Sequence, residues 1–443
     1  MSRLKRFAIG TGITLAALGA VIPLWYQSHY GMLPEQARRI ALPSPNGFDT
    51  LQDALKLEVE TQSGIVVRPW YANSPSTRQY PTQALAGRVP LLAANRPAIE
   101  KTREALQQEY LFPIDTPSAL NYPKYARLRN LARLLTFASQ TYADSGNQPE
   151  AMRCAIDGME LGITVPRGAD LSPALTGLAC ESLNQRAAWA LVDSLDAKTA
   201  RAAALRLAKI EGKRWSLVET IDEERQSNNR MYLPMFFKDG PRSSWRLTGE
   251  LKDYYDADSD TAEEEQVAKE PTLSDRAHFL WWRIRVVYYG PKTVLDNSDQ
   301  WMKAVREQAQ RPWGSKRVKV LPPQDPLNEF IFPFFPAAEF RDVHVRAQSA
   351  LLQTYLALHA YHLEHGIYPK ALSQLVAQGY LEAVPIDPFS PTRAPLSYSP
   401  DGKLWSVGPD AQNDGGKPID MEGKRGYITA NKTGDFVARV NTW

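Results

Sequence analysis

Cysteine is almost missing from this chain: Cys154 and Cys180 are the only two in 443 residues, too few for a disulfide scaffold. One bridge is still permitted in an oxidising compartment. The turn-rich stretch Thr164–Pro173 separates two helical patterns, and each cysteine stands thirteen positions from Arg167 near its centre. Two buried, unpaired thiols are the competing reading. A large charge of either sign is also missing, since 52 Lys and Arg face 49 Asp and Glu for a net +3. That excludes nucleic acid recruited by a whole-molecule field. Long uncharged hydrophobic runs are scarce, because Phe279–Gly290 carries Arg283 and Arg285 mid-run. The sequence has no glycine-flanked nucleophilic serine, no Gly-rich phosphate loop, no cysteine in a nucleophile signature and no Gly-punctuated calcium loop of the helix-loop-helix type. Nothing declares a catalytic activity, and the chain reads as a non-enzyme.

What is present begins at the N-terminus. Arg3, Lys5 and Arg6 precede Phe7–Trp25, which is free of charge and at 1.5 Å per residue spans about 28 Å, the thickness of a bilayer core. Trp25 and Tyr26 suit the interface, and the basic flank places the N-terminus in the cytoplasm. The expectation is a single transmembrane signal anchor over 1–26, inner-membrane localisation and a periplasmic remainder. A cleavable signal peptide is the alternative, although Leu18–Ala20 puts a large residue where its site wants a small one.

Beyond the anchor, 27–97 is polar and Pro-punctuated, with one short amphipathic helix carrying Phe48, Leu51, Leu55 and Leu57 on its apolar side. Helical periodicity is sustained from about Ala98, giving an α-helical body over 98–330. Within it, Tyr142, Gly146, Ala151 and Ala155 resemble one tetratricopeptide-like helix pair, which leaves an isolated hairpin and a short solenoid both open. The insert Glu250–Pro271 is acidic and reads as solvated. The Trp-rich segment after it, with Trp281 and Trp282, reads as core packing with arginines snorkelling outward. A membrane-surface or ligand-stacking patch is the alternative.

The last unit, 331–443, follows the Pro- and Phe-rich stretch Phe330–Phe340. A long helix with Val345, Leu352, Leu356 and Leu363 among its apolar positions ends at His365 and Gly366. A short helix follows Pro369, and "PLSYS" and "KLWSVG" flank Pro400-Asp401-Gly402 as a hairpin. The succession "YHLEHGIYP", "LSQLVAQGYLEAVPIDPFSP", "LSYSPDGKLWSVGPDAQNDGG" resembles the globular domain of the major pseudopilin of type II secretion systems. That resemblance implies a C-terminal α+β domain with a small antiparallel sheet, an extracytoplasmic bacterial setting, and a final loop that binds calcium. The chain departs from the family in that some 315 residues separate anchor from stem-like helix, and the family's processing site and glutamate are missing.

The expected fold class is therefore mainly α: an anchor, a helical body and a pseudopilin-like domain. For calcium, the resemblance together with ligand chemistry nominates the carbonyl of Val407 and the carboxylates of Asp410, Asp414 and Asp420, with Ser406 a further oxygen. The alternative is a hairpin exit in which Gly415 and Gly416 supply turn geometry and Asn413 and Asp414 cap the backbone. His359, His362 and His365 form H-x-x-H-x-x-H, read first as a solvated helix face and second as a metal pair at His359 and His362. The partners expected are membrane lipid through the N-terminal helix and an envelope or secretion-type protein complex, with no nucleic acid. An envelope enzyme or accessory subunit with a site in the helical body is the alternative function.

Overall fold

The computed structural model describes residues 24–25, 41–59, 85–113, 127–227, 273–315, 325, 328, 335–420 and 428–441. The expected anchor, apart from Leu24 and Trp25, and the acidic insert Glu250–Pro271 lie outside these residues. Among the described residues no helix is long and apolar enough to cross a membrane. The chain is mainly helical with one small antiparallel sheet, and it divides into two units. The larger draws its described residues from Ile40–Glu224, Arg306–Val318 and Phe334–Trp443, the smaller from Met1–Arg39, Arg225–Val305 and Lys319–Pro333.

In the larger unit, α1 (Gly47–Lys56) starts at Asn46, whose side chain accepts from Phe48 N–H, and buries Phe48, Leu51, Ala54 and Leu55. Leu57 lies past its end and is exposed, not on the apolar side. Next comes α2 (Leu85–Gln107), which begins well before Ala98 and runs through Pro90 and Pro97. Each proline removes one intrahelical bond, and packing of Leu92, Ala98, Ile99 and Leu106 holds the helix together regardless.

The helices α3 (Leu128–Asp144), α4 (Gln148–Thr164) and α5 (Leu171–Leu191) then fold back and forth. Gly146, at φ +80°, makes the first reversal, and Asn147 caps α4 by accepting from Glu150 N–H. Close approach of α4 and α5 is possible because both present glycine. A Cβ on Gly162 would lie 2.6 Å from both Glu181 N and the Gly177 carbonyl oxygen. Cys154 and Cys180 sit on this pair as buried free thiols. Burial pushes Cys180 up to about 12 and Cys154 higher still. Then come a 3₁₀ turn (Val192–Ser194), α6 (Ala197–Glu211) and α7 (Leu217–Ser227).

The helix α9 (Phe335–His365) is buried on nearly every side between Ala347 and Tyr361, so its sequence shows no single apolar stripe. It starts at Phe335, inside the stretch expected to be a hinge, with Pro336 in its first turn where a missing N–H costs nothing. Leu351, Leu352, Leu356 and Leu358 join Ala187, Leu191, Ala203 and Leu207 of the body in one core, together with Leu404 and Phe436 of the sheet. Polar groups fix the register. Gln185 Nε2 donates to Val345 O and Ser349 Oγ at 2.9 Å each, Ser349 Oγ donates to Glu181 at 2.9 Å, and Arg214 closes the set on Glu181 at 2.6 Å.

After α9 come α10 (Ser373–Ala377) and the strands β1 (Ser397–Tyr398), β2 (Leu404–Ser406) and β3 (Phe436–Val437), ordered β1-β2-β3. The expected hairpin forms, with Ser397 opposite Trp405 and Tyr398 opposite Leu404.

The smaller unit holds α8 (Leu273–Gln310) as far as Val305; the helix is broken at Gly290, whose φ of +67° belongs to glycine, and it resumes at Pro291. Before the break, Val286 is buried, whereas Leu280, Trp281, Ile284 and Tyr288 are exposed. The core reading of the Trp-rich segment is corrected for these four. The segment is apolar on both faces, and one face of a helix suffices to pack.

Candidate functional site

The C-terminal loop Val407–Gly416 leaves β2 and is built by three aspartates, two of them outside the expected set. Asp387, in the Asp-Pro-Phe turn, is buried and accepts from Ser406 Oγ at 2.7 Å, Val407 N–H at 2.8 Å and Phe389 N–H at 2.9 Å. Burial raises its carboxyl, and these three donors oppose the rise. Asp435 is fully buried beside β3 and accepts from Asp414 N–H at 3.2 Å and Gly416 N–H at 2.6 Å. Its carboxyl is raised chiefly by burial; those amides lower it, and the charges of Asp414 and Asp410 add to the rise. Asp410 accepts from Gln412 N–H and Gly434 N–H, each at 3.1 Å.

Glycine is needed where the loop passes the β3 approach. Gly408 is at φ +72°, and a Cβ there would overlap the Gly434 carbonyl oxygen. The outer turn closes on Asn413, whose Oδ1 accepts from Trp405 Nε1 and Gly415 N–H at 3.0 Å each. Trp313 holds the loop from the far side by donating Nε1–H to Pro409 O at 2.7 Å, and its ring packs with Phe389 and Phe340.

Among the expected ligands, Val407 is held by its N–H on Asp387, Asp410 faces β3, and Asp414 offers its N–H to Asp435. Asp420 is exposed, and its backbone carbonyl accepts from Lys432 Nζ at 3.1 Å. Ser406 is spent on Asp387. Among the described residues no three His, Cys, Asp or Glu side chains are grouped closely enough to hold a metal ion. The donor chemistry, carboxylates with backbone carbonyls, is that of calcium, but the oxygens of Asp410 and Asp435 already receive backbone amides. A cation and those N–H groups compete for the same lone pairs. Asp387, Asp435 and Trp313 were missed by ligand counting. The available signals were the Asp-Pro-Phe turn and the Gly-Asp pair before β3.

The three histidines diverge. His359 Nε2 contacts Leu195 O at 3.3 Å, His362 stacks on Tyr368 at 4.3 Å between centroids, and His365 packs on Tyr361 at 4.2 Å. The expected solvated face holds for His365, which is exposed, while His359 and His362 are half-buried against their neighbours.

A second titratable group lies in the helical body. Glu224 accepts from Leu171 N–H at 2.8 Å, and burial, then the charge of Asp170, pushes its carboxyl up to about 8. A recess lined by Leu171, Arg214, Trp215, Leu217 and Thr220 opens beside it.

No family model, no curated protein and no solved structure matches this chain.

Proposed function

We propose that this chain is a membrane-anchored bacterial envelope protein with a structural or protein-interaction role, presenting a pseudopilin-like domain in the periplasm. The observation that supports it best is the position of α9. In the pseudopilin family the equivalent helix is a stem continuous with the membrane segment, free to enter a filament. Here its leucines share one core with α5, α6 and the sheet, so the small domain is a fixed end of the helical body. Such a unit presents a surface; it does not polymerise through its stem. The anchor at Phe7–Trp25 holds it at the inner membrane, and its partner is an envelope or secretion-type complex.

Calcium in this reading belongs to the expected set, the Val407 carbonyl with Asp410, Asp414 and Asp420, and binding it requires these side chains to draw together, because among the described residues they form no metal-holding group. It would stiffen the loop against a partner. Titration calorimetry of the full chain with calcium should give heat that Asp410→Ala abolishes; equal heat from both proteins removes this site. For the role itself, the test is a cross-linked pull-down from membranes, with and without a chelator, read by mass spectrometry. The interaction reading is lost if no envelope or secretion component is enriched in either arm.

The raised carboxyl of Glu224 beside a recess favours a second reading, an envelope enzyme or binding subunit. A metabolite that shifts the melting of the native chain but not of Glu224→Gln would select it.

A further inference from the structure

The outward face of α8 before Gly290 is apolar and exposed. Leu280 is 48% accessible, Trp281 60%, Ile284 42% and Tyr288 64%, with Leu273 at 88% one end of the row. At about 100° per residue these five fall within roughly a 100° arc. The opposite side is used for packing: Val286 is buried, and Phe279 and Trp282, half-buried, stack at 5.9 Å. An uninterrupted apolar row left to water is a surface that something covers.

Charge decides what covers it. Arg276 and Arg283 border the row on one side and Arg285 on the other, each about 80–100° from Ile284 around the helix. Asp275 is the only acidic residue from Leu273 to Tyr289. The guanidinium of Arg283 lies 5.7 Å from the Phe279 ring and that of Arg285 6.0 Å from the Tyr289 ring, so apolar and cationic parts sit side by side as in a snorkelling rim. Gly290 ends this stretch after about 25 Å, and its arginines bar it from spanning; the geometry is that of a helix lying in a headgroup plane.

We propose that this face docks on the anionic phospholipid surface of a bilayer, with Leu280, Trp281, Ile284 and Tyr288 entering the acyl boundary and the arginines taking headgroup phosphates. It rests on the anchor reading only in that the anchor keeps a bilayer within reach.

The test uses the full chain reconstituted in phosphatidylcholine vesicles with or without phosphatidylglycerol. An environment-sensitive fluorophore is placed at Ile284→Cys, at Lys198→Cys on α6, or at Leu15→Cys in the expected anchor; Cys154 and Cys180 are buried. The Ile284 label should shift to the blue and lose quenching by aqueous iodide in the anionic vesicles, while the Lys198 label stays quenched. Changing Arg276, Arg283 and Arg285 to Glu, or raising salt, should return the Ile284 label to water. An Ile284 label as quenchable as the Lys198 label in anionic vesicles overturns the proposal. So does protection indifferent to lipid charge and the arginines, or energy transfer between Ile284 labels on two copies, which makes the cover protein. A shielded Leu15 label with a wet Ile284 label sinks the docking face alone; the reverse sinks the anchor alone.

Discussion

Glu224 sits in α7, takes one N–H from Leu171, and has its carboxyl raised by burial from the ordinary 4.5 to about 8. Between those values the folded chain holds a proton that the unfolded chain has released. Its contribution to stability is therefore fully present below pH 4.5, declines as pH rises, and is gone above about 8. The melting temperature of the native chain minus that of Glu224→Gln should fall across this window. Parallel curves would mean that the carboxyl titrates normally. Asp387 is also raised by burial, but three donors surround its carboxylate and oppose the rise. Asp387→Ala strands Ser406 Oγ and two N–H groups and should cost roughly 2–4 kcal/mol by urea unfolding. Asp401→Ala, in the exposed hairpin turn, should cost less than about 1 kcal/mol. The sequence made Asp401 legible through Pro-Asp-Gly. Asp387 and Asp435 were harder to read because their partners are amides set by strand register, nineteen or more positions away for Val407 and Gly416.

At the scale of elements, the α4/α5 pair depends on backbone approach. Gly162→Ala places a methyl within 2.6 Å of backbone atoms on α5 that cannot move alone, so it should destabilise by about 1–3 kcal/mol or more. Gly87→Ala in α2 meets nothing within 4 Å and should be neutral or stabilising by up to about 1 kcal/mol. If thermal melts place the two substitutions together, the close approach is not what holds the pair. The hairpin around Arg167 was legible from two helical patterns split by a Pro- and Gly-bearing turn, and so were α1 and α10. The start of α2 was not, because proline marks a helix end locally while tertiary packing carries this helix through two of them. In α9, Leu352 and Leu356 are buried as expected, but Leu363 is 49% exposed and Leu351 and Leu358 are buried. A single stripe could not be read from a helix packed on several sides.

For the whole molecule, the shared core makes the body and the C-terminal sheet one folding unit. Ending the chain before Phe335 removes Leu351, Leu352, Leu356 and Leu358 and exposes the α6 residues Ala203, Leu207 and Ile210 that join the same core. The shortened protein should run as aggregate in size-exclusion chromatography, and an isolated 335–443 should do the same. Two monomeric, cooperatively melting halves would contradict a shared core.

The sequence by itself determined the helical character of the body, the hairpin at Pro400-Asp401-Gly402 and the end of α9 at Gly366, because caps, turns and periodicity are local and act through the nearest few residues. It also determined the expectation of an anchor, a matter of length and charge alone. Only the tertiary structure decided that α9 is a shared core helix, that Asp435 takes the loop amides, and that one apolar face of α8 packs while the other meets solvent. Each of these depends on which distant surface arrives first at an apolar row or a lone pair, and packing chooses among partners that local chemistry leaves equivalent.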